Sequence, residues 1–359
     1  MEKRLKFINK DESAFYSILE KRVKEYFQEN GISIYANAMF VFKTVFFLLG
    51  LIGSYLALIF GNFSLPISFV LWISIGFFTA FTGVNVGHDA IHEAISPNKM
   101  VNVILGYLFN IVGANSYLWN ITHNKQHHSF TNIDGYDGDI ESVPIVRLSP
   151  HKKLLKINRF QHIYALFFYG FTSLLWVFYK DYRGFSKSNF GSINIKHPKS
   201  EFFIMIAFKL IYYSLFLITP LIMLDFEWWQ ILIGFFLMHF VEGISLAIII
   251  QLAHLVENVE FPLPDENGVI KKSWAVHQMY TTADYARNNW LISFLFGGLN
   301  FHIEHHLFQN ICHVHHKPLS KIVKKTAEEN NIPYNDYPSF GAAMRSHIRF
   351  LKKNGRLSS

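Results

Sequence analysis

Four long apolar runs constrain this chain more than anything else in it. Residues 36–60 carry one formal charge, Lys43; residues 64–87 carry none; residues 202–224 carry only Lys209, and residues 228–252 only Glu242. Each approaches or exceeds the roughly 20 apolar residues that cross a bilayer as a helix. Hydrocarbon offers no partner to backbone N–H and C=O groups, so each run must satisfy its own, and each is predicted as a helix. The chain has 359 residues, a length that would permit two soluble domains, but the runs argue against that. The expected fold is an all-α integral membrane protein, one domain over 1–359, with spans at about 36–60, 65–87, 202–224 and 228–252.

The basic residues orient those spans. Seven Lys/Arg precede the first run (Lys3, Arg4, Lys6, Lys10, Lys21, Arg22 and Lys24), eleven lie between Lys125 and Lys199, and twelve follow Gln251. The loops 61–63 and 225–227 carry none. By the positive-inside rule both termini face the cytoplasm, together with the polar regions 88–200 and 253–359, which form a helical cap. The same bias accounts for the net charge of +7 without a nucleic-acid partner. The first apolar run starts too late for a signal peptide. The single cysteine, Cys312, excludes an internal disulfide and fits a reducing face.

Two weaker apolar stretches, 101–118 and 163–178, are short for spans and are predicted as interfacial or re-entrant segments. Residues 184–200 read as a loop by their Gly, Ser, Asn and Pro content, and residues 256–284 as a polar cytoplasmic loop. The tail from Lys317 is basic and predicted helical.

Against this apolar background stand three histidine clusters: His88 and His92 in HDAIH, His123, His127 and His128 in HNKQHH, and His302, His305 and His306 in HIEHH. Residues three and four apart share a helix face, so each cluster aims its rings at one point. Imidazole suits iron, zinc, copper and nickel. Eight rings exceed the four ligands of one tetrahedral zinc, so the expectation is two metal ions held close together, and redox chemistry. That shared site requires all three clusters on one side of the membrane, which the predicted spans provide. His254, at the end of the fourth run, is a ninth candidate ligand. Asp89, Glu93 and Glu304 are placed to orient rings from outside the ligand set. His239 and Glu242, deep in the fourth run, form an ionisable pair of functional interest. His313, His315 and His316 are dense but diverge on a helix and are not counted as ligands; His277 is read as structural.

The boxes HDAIH (88–92), HNKQHH (123–128) and HIEHH (302–306), in the contexts WNITHNKQHHSFTN and GGLNFHIEHHLF, make the chain resemble the membrane fatty-acid desaturases with three histidine boxes, and the front-end acyl-lipid and acyl-CoA desaturases most. The resemblance implies four spans, a cytoplasmic cap and a di-iron centre, with His254 completing the ligand set. It implies a cis double bond inserted into a fatty acyl chain with dioxygen as co-substrate. Two electrons would come from a ferredoxin or a small b-type cytochrome. Two features depart from the front-end pattern. The third box begins with His302 where Gln is usual, as in methyl-end and ninth-carbon enzymes. The His-Pro-Gly-Gly mark of a fused haem domain is absent, so a separate donor is expected, as in bacterial members, and with it a bacterial cytoplasmic membrane.

The substrate is expected to lie in a narrow apolar tunnel beside the metals, with Trp119 and Trp274 as candidates for its mouth. Arg147, Lys152, Lys153 and Lys156 are candidates for attracting a lipid or coenzyme A phosphate, although positive-inside bias is the preferred explanation for them. A di-iron hydroxylase or ketolase on the same scaffold, and a non-enzymatic membrane protein that binds metal or lipid, remain open from the residues alone.

Overall fold

The computed structural model describes residues 5–8, 13–141 and 145–356. Of the basic residues used above, Lys3, Arg4 and Lys10 lie outside the described residues. The chain is mostly helical: α1 (Ser13–Glu29), α2 (Ala38–Phe60), α3 (Leu65–Ile91), α4 (Lys99–Ile111), α5 (Ser116–Phe130), α6 (Lys156–Tyr169), α7 (Thr172–Ser186), α8 (Lys199–Met223), α9 (Trp228–His254), α10 (Trp274–Thr281), α11 (Trp290–Leu295), α12 (His302–Leu307), α13 (His316–Glu329) and α14 (Phe340–Asn354). Three two-residue strand pairs add local ties. Lys6–Phe7 runs parallel to Val269–Ile270, Asn189–Phe190 antiparallel to Ile193–Asn194, and Asp284–Tyr285 parallel to Asp336–Tyr337.

α2, α3, α8 and α9 are the four helices long and apolar enough to cross a bilayer. Their ends correct the sequence reading. α3 continues through His88 to Ile91, and α9 continues to His254, so both histidines ride on the last turns of long helices. α8 starts three residues earlier than expected, at Lys199. The α2 N-terminus is fixed by Asn37, whose side chain accepts from the N–H groups of Met39 and Phe40. α3 and α9 approach closely: a Cβ on Gly76 would collide with the Met238 carbonyl, so only glycine fits there. The outward faces of α2 and α8 carry exposed Phe42, Leu49, Phe203, Leu210 and Ile222, as a lipid-facing helix does.

The two weaker stretches form bent pairs rather than straight rods. α4 and α5 meet at 107° and α6 and α7 at 71°. Residues 184–200 hold a short hairpin, and the presumed loop 256–284 contains a helix, α10. α1 lies across α10, α12 and α13. Its buried Phe15, Leu19, Val23 and Phe27 pack in one cluster with Ala275, Met279, Ile303, Leu307 and Val323. This packing presses the third histidine box and α10 towards the ends of α3 and α9.

Candidate metal centre

Each cluster is delivered by a helix end, and two of them by a widened turn. In α3 the amide of His88 donates to the Gly83 carbonyl, five residues back, so a π turn precedes the first box. In α5 the His128 amide reaches the His123 carbonyl in the same way. A π turn puts residues five apart on one face, and such turns recur at functional sites. It lets His123, His127 and His128 all point inward. The third box sits on the short α12, and His254 on the last turn of α9.

The nine candidate histidines converge, all buried. Ring nitrogens of His88, His92, His123 and His305 lie within 4.8 Å of one another, as do those of His127, His254, His302 and His306. His128 groups with His305 and His306 and so lies between the two quartets.

Hydrogen bonds set the tautomers of the second quartet. The Nδ1–H groups of His254 and His302 donate to the carbonyls of Thr281 (3.1 Å) and Leu299 (3.0 Å). His306 Nδ1 donates to Gln278 Oε1 at 2.8 Å, and His127 Nδ1 to Asp137 Oδ1 at 2.9 Å. Every ring thereby turns Nε2 inward. The Nε2 atoms of His302, His305 and His306 are buried without a hydrogen-bond partner, and His92 has neither nitrogen partnered. Burial first, then the neighbouring imidazoles, hold His302, His305 and His306 well below the usual histidine range. They are therefore neutral, the form that ligates metal. The Nε2 atoms of His127 and His254 face each other at 3.2 Å. The Nε2 atoms of His123 and His128 do so at the same distance. Burial opposes charge on His127, but Asp137 and Asp139 carry it up to about 9, so a proton can bridge the gap to His254. One proton cannot serve the remaining inward nitrogens. Buried polar atoms normally have partners, and a donor set made of imidazoles fits first-row transition ions such as iron.

The other sequence candidates divide. Asp89 Oδ1 lies 3.6 Å from His88 Nδ1. Glu93 is exposed, at φ +56°, and orients no ring. Glu304 accepts from the Tyr334 hydroxyl at 3.0 Å. His239 meets Ser173 Oγ and the Tyr212 hydroxyl, each at 2.9 Å, and Glu242 Oε2 at 3.5 Å, as a network between helices. His277 bonds the Thr131 carbonyl at 2.9 Å. His313 meets Asp89 and Lys43, while His315 and His316 donate to the carbonyls of Tyr35 and Ile311. Arg147 is no phosphate site. It is 2% exposed and spends its guanidinium on the carbonyls of Lys152, Asn354 and Pro150. Lys152 pairs with Glu141 at 3.3 Å. Trp119 lines the cavity beside the rings, but Trp274 instead donates to the His128 carbonyl at 2.9 Å.

Sequence reasoning missed Asp137, Asp139 and Gln278. Asp139 Oδ2 lies 3.5 Å from His123 Nδ1. Gln278 accepts from His306 and Thr131 and donates to the His128 carbonyl, clamping the second box to the third. The Asp-Gly-Asp run that begins nine residues after the second box was the available signal; Gln278 had none.

A small cavity touches the centre at His88, His123 and His302 and is otherwise walled by Val84, Phe109, Trp119, Trp176, Leu246, Ile250 and Leu299. A second shares Phe109, Trp176 and Leu246 with it and extends to Thr79, Ser173 and Glu242.

Comparison with known proteins agrees with this geometry. The fatty acid desaturase family model matches residues 63–338. The sn-1 linoleoyl-lipid 6-desaturase of Synechocystis sp. is 35% identical over 357 residues, covering 99% of each chain. The acyl-lipid (8-3)-desaturase of Physcomitrium patens is 34% identical over 356 residues, 98% of this chain and 74% of that one. Its namesake in Mortierella alpina is 32% identical over 96% of this chain. A buried, histidine-rich, metal-capable centre beside an apolar cavity, in a chain matched along nearly its whole length, has one family assignment: this protein belongs to the fatty acid desaturases and is an oxidoreductase.

Proposed function

We propose that this chain is a membrane di-iron desaturase of lipid-bound acyl chains, front-end in type. The observation that carries the reading is the pair of quartets. His88, His92, His123 and His305 would hold one iron and His127, His254, His302 and His306 the other, with His128 between them. The irons, when bound, supply the dioxygen-derived oxidant that an unactivated C–H bond demands. The overall balance is –CH2–CH2– + O2 + 2 e⁻ + 2 H⁺ → –CH=CH– + 2 H2O.

The chain's own part is holding and exclusion. Phe109, Trp119, Trp176, Leu246 and Ile250 form an apolar wall against which an acyl segment lies, directly below His88, His123 and His302. Fixing which carbons face the rings is a proximity effect and sets the double-bond position. The buried walls keep bulk water from the reacting carbons. Gln278, Asp137 and the Thr281 and Leu299 carbonyls hold ring orientation through Nδ1. The relatives' names, a 6-desaturase and two (8-3)-desaturases, support insertion on the carboxyl side of an existing double bond.

The same reading takes 1–359 as one domain. It places the four long helices in the bilayer, with both termini and the cap (88–200 and 253–359) on the cytoplasmic side of a bacterial membrane. The Lys/Arg distribution supports that orientation. The two electrons per turnover come from a separate carrier, a ferredoxin or a small b-type cytochrome.

Expression in a host of defined lipid content, with mass spectrometry of the fatty acids, tests the reading. Loss of two hydrogens, with a new cis double bond nearer the carboxyl end than an existing one, is the expected product. Gain of one oxygen would make the chain a hydroxylase. Metal analysis of active protein is expected to find two irons per chain; zinc alone would overturn the di-iron assignment.

A further inference from the structure

A lysine buried in an apolar helix is costly and calls for a partner. α2 contains one: Lys43 is 4% exposed, and its Nζ donates to His313 Nε2 at 2.7 Å. That bond fixes the tautomer of His313. Nε2 accepts, so Nδ1 carries the hydrogen, which it donates to Asp89 Oδ2 at 2.8 Å. The same carboxylate oxygen accepts the His313 backbone N–H at 3.0 Å and the Cys312 S–H at 3.2 Å. The other oxygen of Asp89 faces His88 Nδ1. Hydrogen bonds therefore link Lys43 through His313 to Asp89, whose other oxygen approaches His88, one corner of the first quartet, at 3.6 Å.

The second quartet is built differently. Asp137 accepts from His127 Nδ1 and from the backbone N–H groups of Asn132 (2.8 Å) and Asp139 (2.9 Å). Among the described residues no lysine or arginine lies within ion-pair distance of Asp137 or Asp139; their close charged partners are box histidines. Asp139 lies beside both His123 and His127, and Lys180 acts on it from beyond ion-pair distance, so it serves the two quartets alike; of the carboxylates that back a single quartet, Asp89 and Asp137, only Asp89 has a lysine hydrogen-bonded behind it, through His313.

We propose that Lys43 is a built-in counter-charge that makes the two metal positions unequal. Acting through His313 on Asp89, it weakens divalent-cation binding at the His88–His92–His123–His305 position relative to the His127–His254–His302–His306 position, where Asp137 has no lysine or arginine within ion-pair distance. Lys43 and His313 are positioning residues in this account and touch neither metal nor substrate. The inference rests on the di-metal reading above.

Titration of detergent-purified, metal-depleted full-length protein with Co²⁺, followed by its visible absorption, tests it. The wild type is expected to bind two Co²⁺ in two steps of different affinity. Lys43→Met is expected to tighten the weaker step by roughly tenfold or more, because it removes a positive charge that repels a divalent ion through the protein interior. It leaves the tighter step unchanged. Asp89→Asn loosens that same weaker step, and Asp137→Asn loosens only the tighter one. Lys43→Gln, which keeps a polar group at the site, is read in place of Lys43→Met if the latter does not elute as a folded species. A lysine substitution that moves neither step, or both equally, overturns the proposal, because a merely structural lysine would act on the whole centre. A wild type that binds fewer than two Co²⁺ overturns the di-metal reading instead.

Discussion

Residues 302–306 and 313–316 each pack three histidines into a few positions, yet they do opposite work. His302, His305 and His306 turn Nε2 into the centre and leave it without a hydrogen-bond partner. His313, His315 and His316 give Nε2 to Lys43 and to the carbonyls of Tyr35 and Ile311. Both groups are buried, and His316 sits only 6.1 Å, ring to ring, from His305. Density and burial therefore do not mark a metal site. What differs is the fate of Nε2: His302 and His306 spend Nδ1 on the protein and keep Nε2, whereas His313, His315 and His316 spend Nε2.

The sharpest way to break this contrast is to exchange the fates of single rings. His305→Ala is expected to abolish desaturation and to reduce bound iron, with membrane insertion unchanged. Fatty-acid profiling and metal analysis read this out; full activity with one box histidine missing would remove the basis for the quartets. Gln278→Leu cuts the bond that orients His306 while leaving all nine rings. Loss of such a supporting bond typically costs 10–100-fold in metal affinity or activity, and iron-binding titration measures it. An unchanged affinity would mean that ring orientation does not depend on α10.

His347 extends the partnered class. Its Nδ1 donates to the Leu255 carbonyl at 2.7 Å and its Nε2 meets the Tyr169 hydroxyl at 3.1 Å. Burial lowers it to about 4. As pH falls below the unfolded value near 6.5, the unfolded chain takes up the proton first. Stability present above pH 6.5 is therefore lost progressively down to about pH 4, by on the order of 3 kcal/mol. His347→Gln is expected to flatten that part of the stability–pH curve, as thermal unfolding at stepped pH would show. An unaltered acid limb would refute this. The smallest effect is expected from His315→Ala: activity retained, and stability reduced by about 1 kcal/mol for one lost hydrogen bond. Loss of activity there would place His315 in the ligand set.

Much of the architecture was legible because its signals are local. An apolar run of span length has one way to satisfy its backbone in hydrocarbon, and residues 36–60 and 228–252 duly became α2 and α9. That the eight box histidines and His254 converge was legible because few other structures need so many imidazoles in an apolar chain. The misses are equally physical. α10 was read as loop because its eight residues are too short for a clear period, and it is held by packing against α1 and α12. Arg147, which looked like a phosphate attractor, is a buried brace whose partners are carbonyls up to 207 residues away. No residue type marks a carbonyl as an acceptor, so that role was invisible.

The sequence by itself determined the inventory: four helices of crossing length, nine imidazoles in short clusters and an excess of Lys and Arg outside the apolar runs, because composition and spacing act over a few residues. Only the tertiary structure decided how the rings are sorted. The close approach of α3 and α9 at Gly76, the π turns before His88 and within the second box, and the clamp of α10 divide nine histidines into two quartets and a ring between them. The reason is range: a ring's direction is set by its Nδ1 partner, and for His127, His254 and His306 that partner lies 10, 27 and 28 residues away, beyond the reach of local spacing.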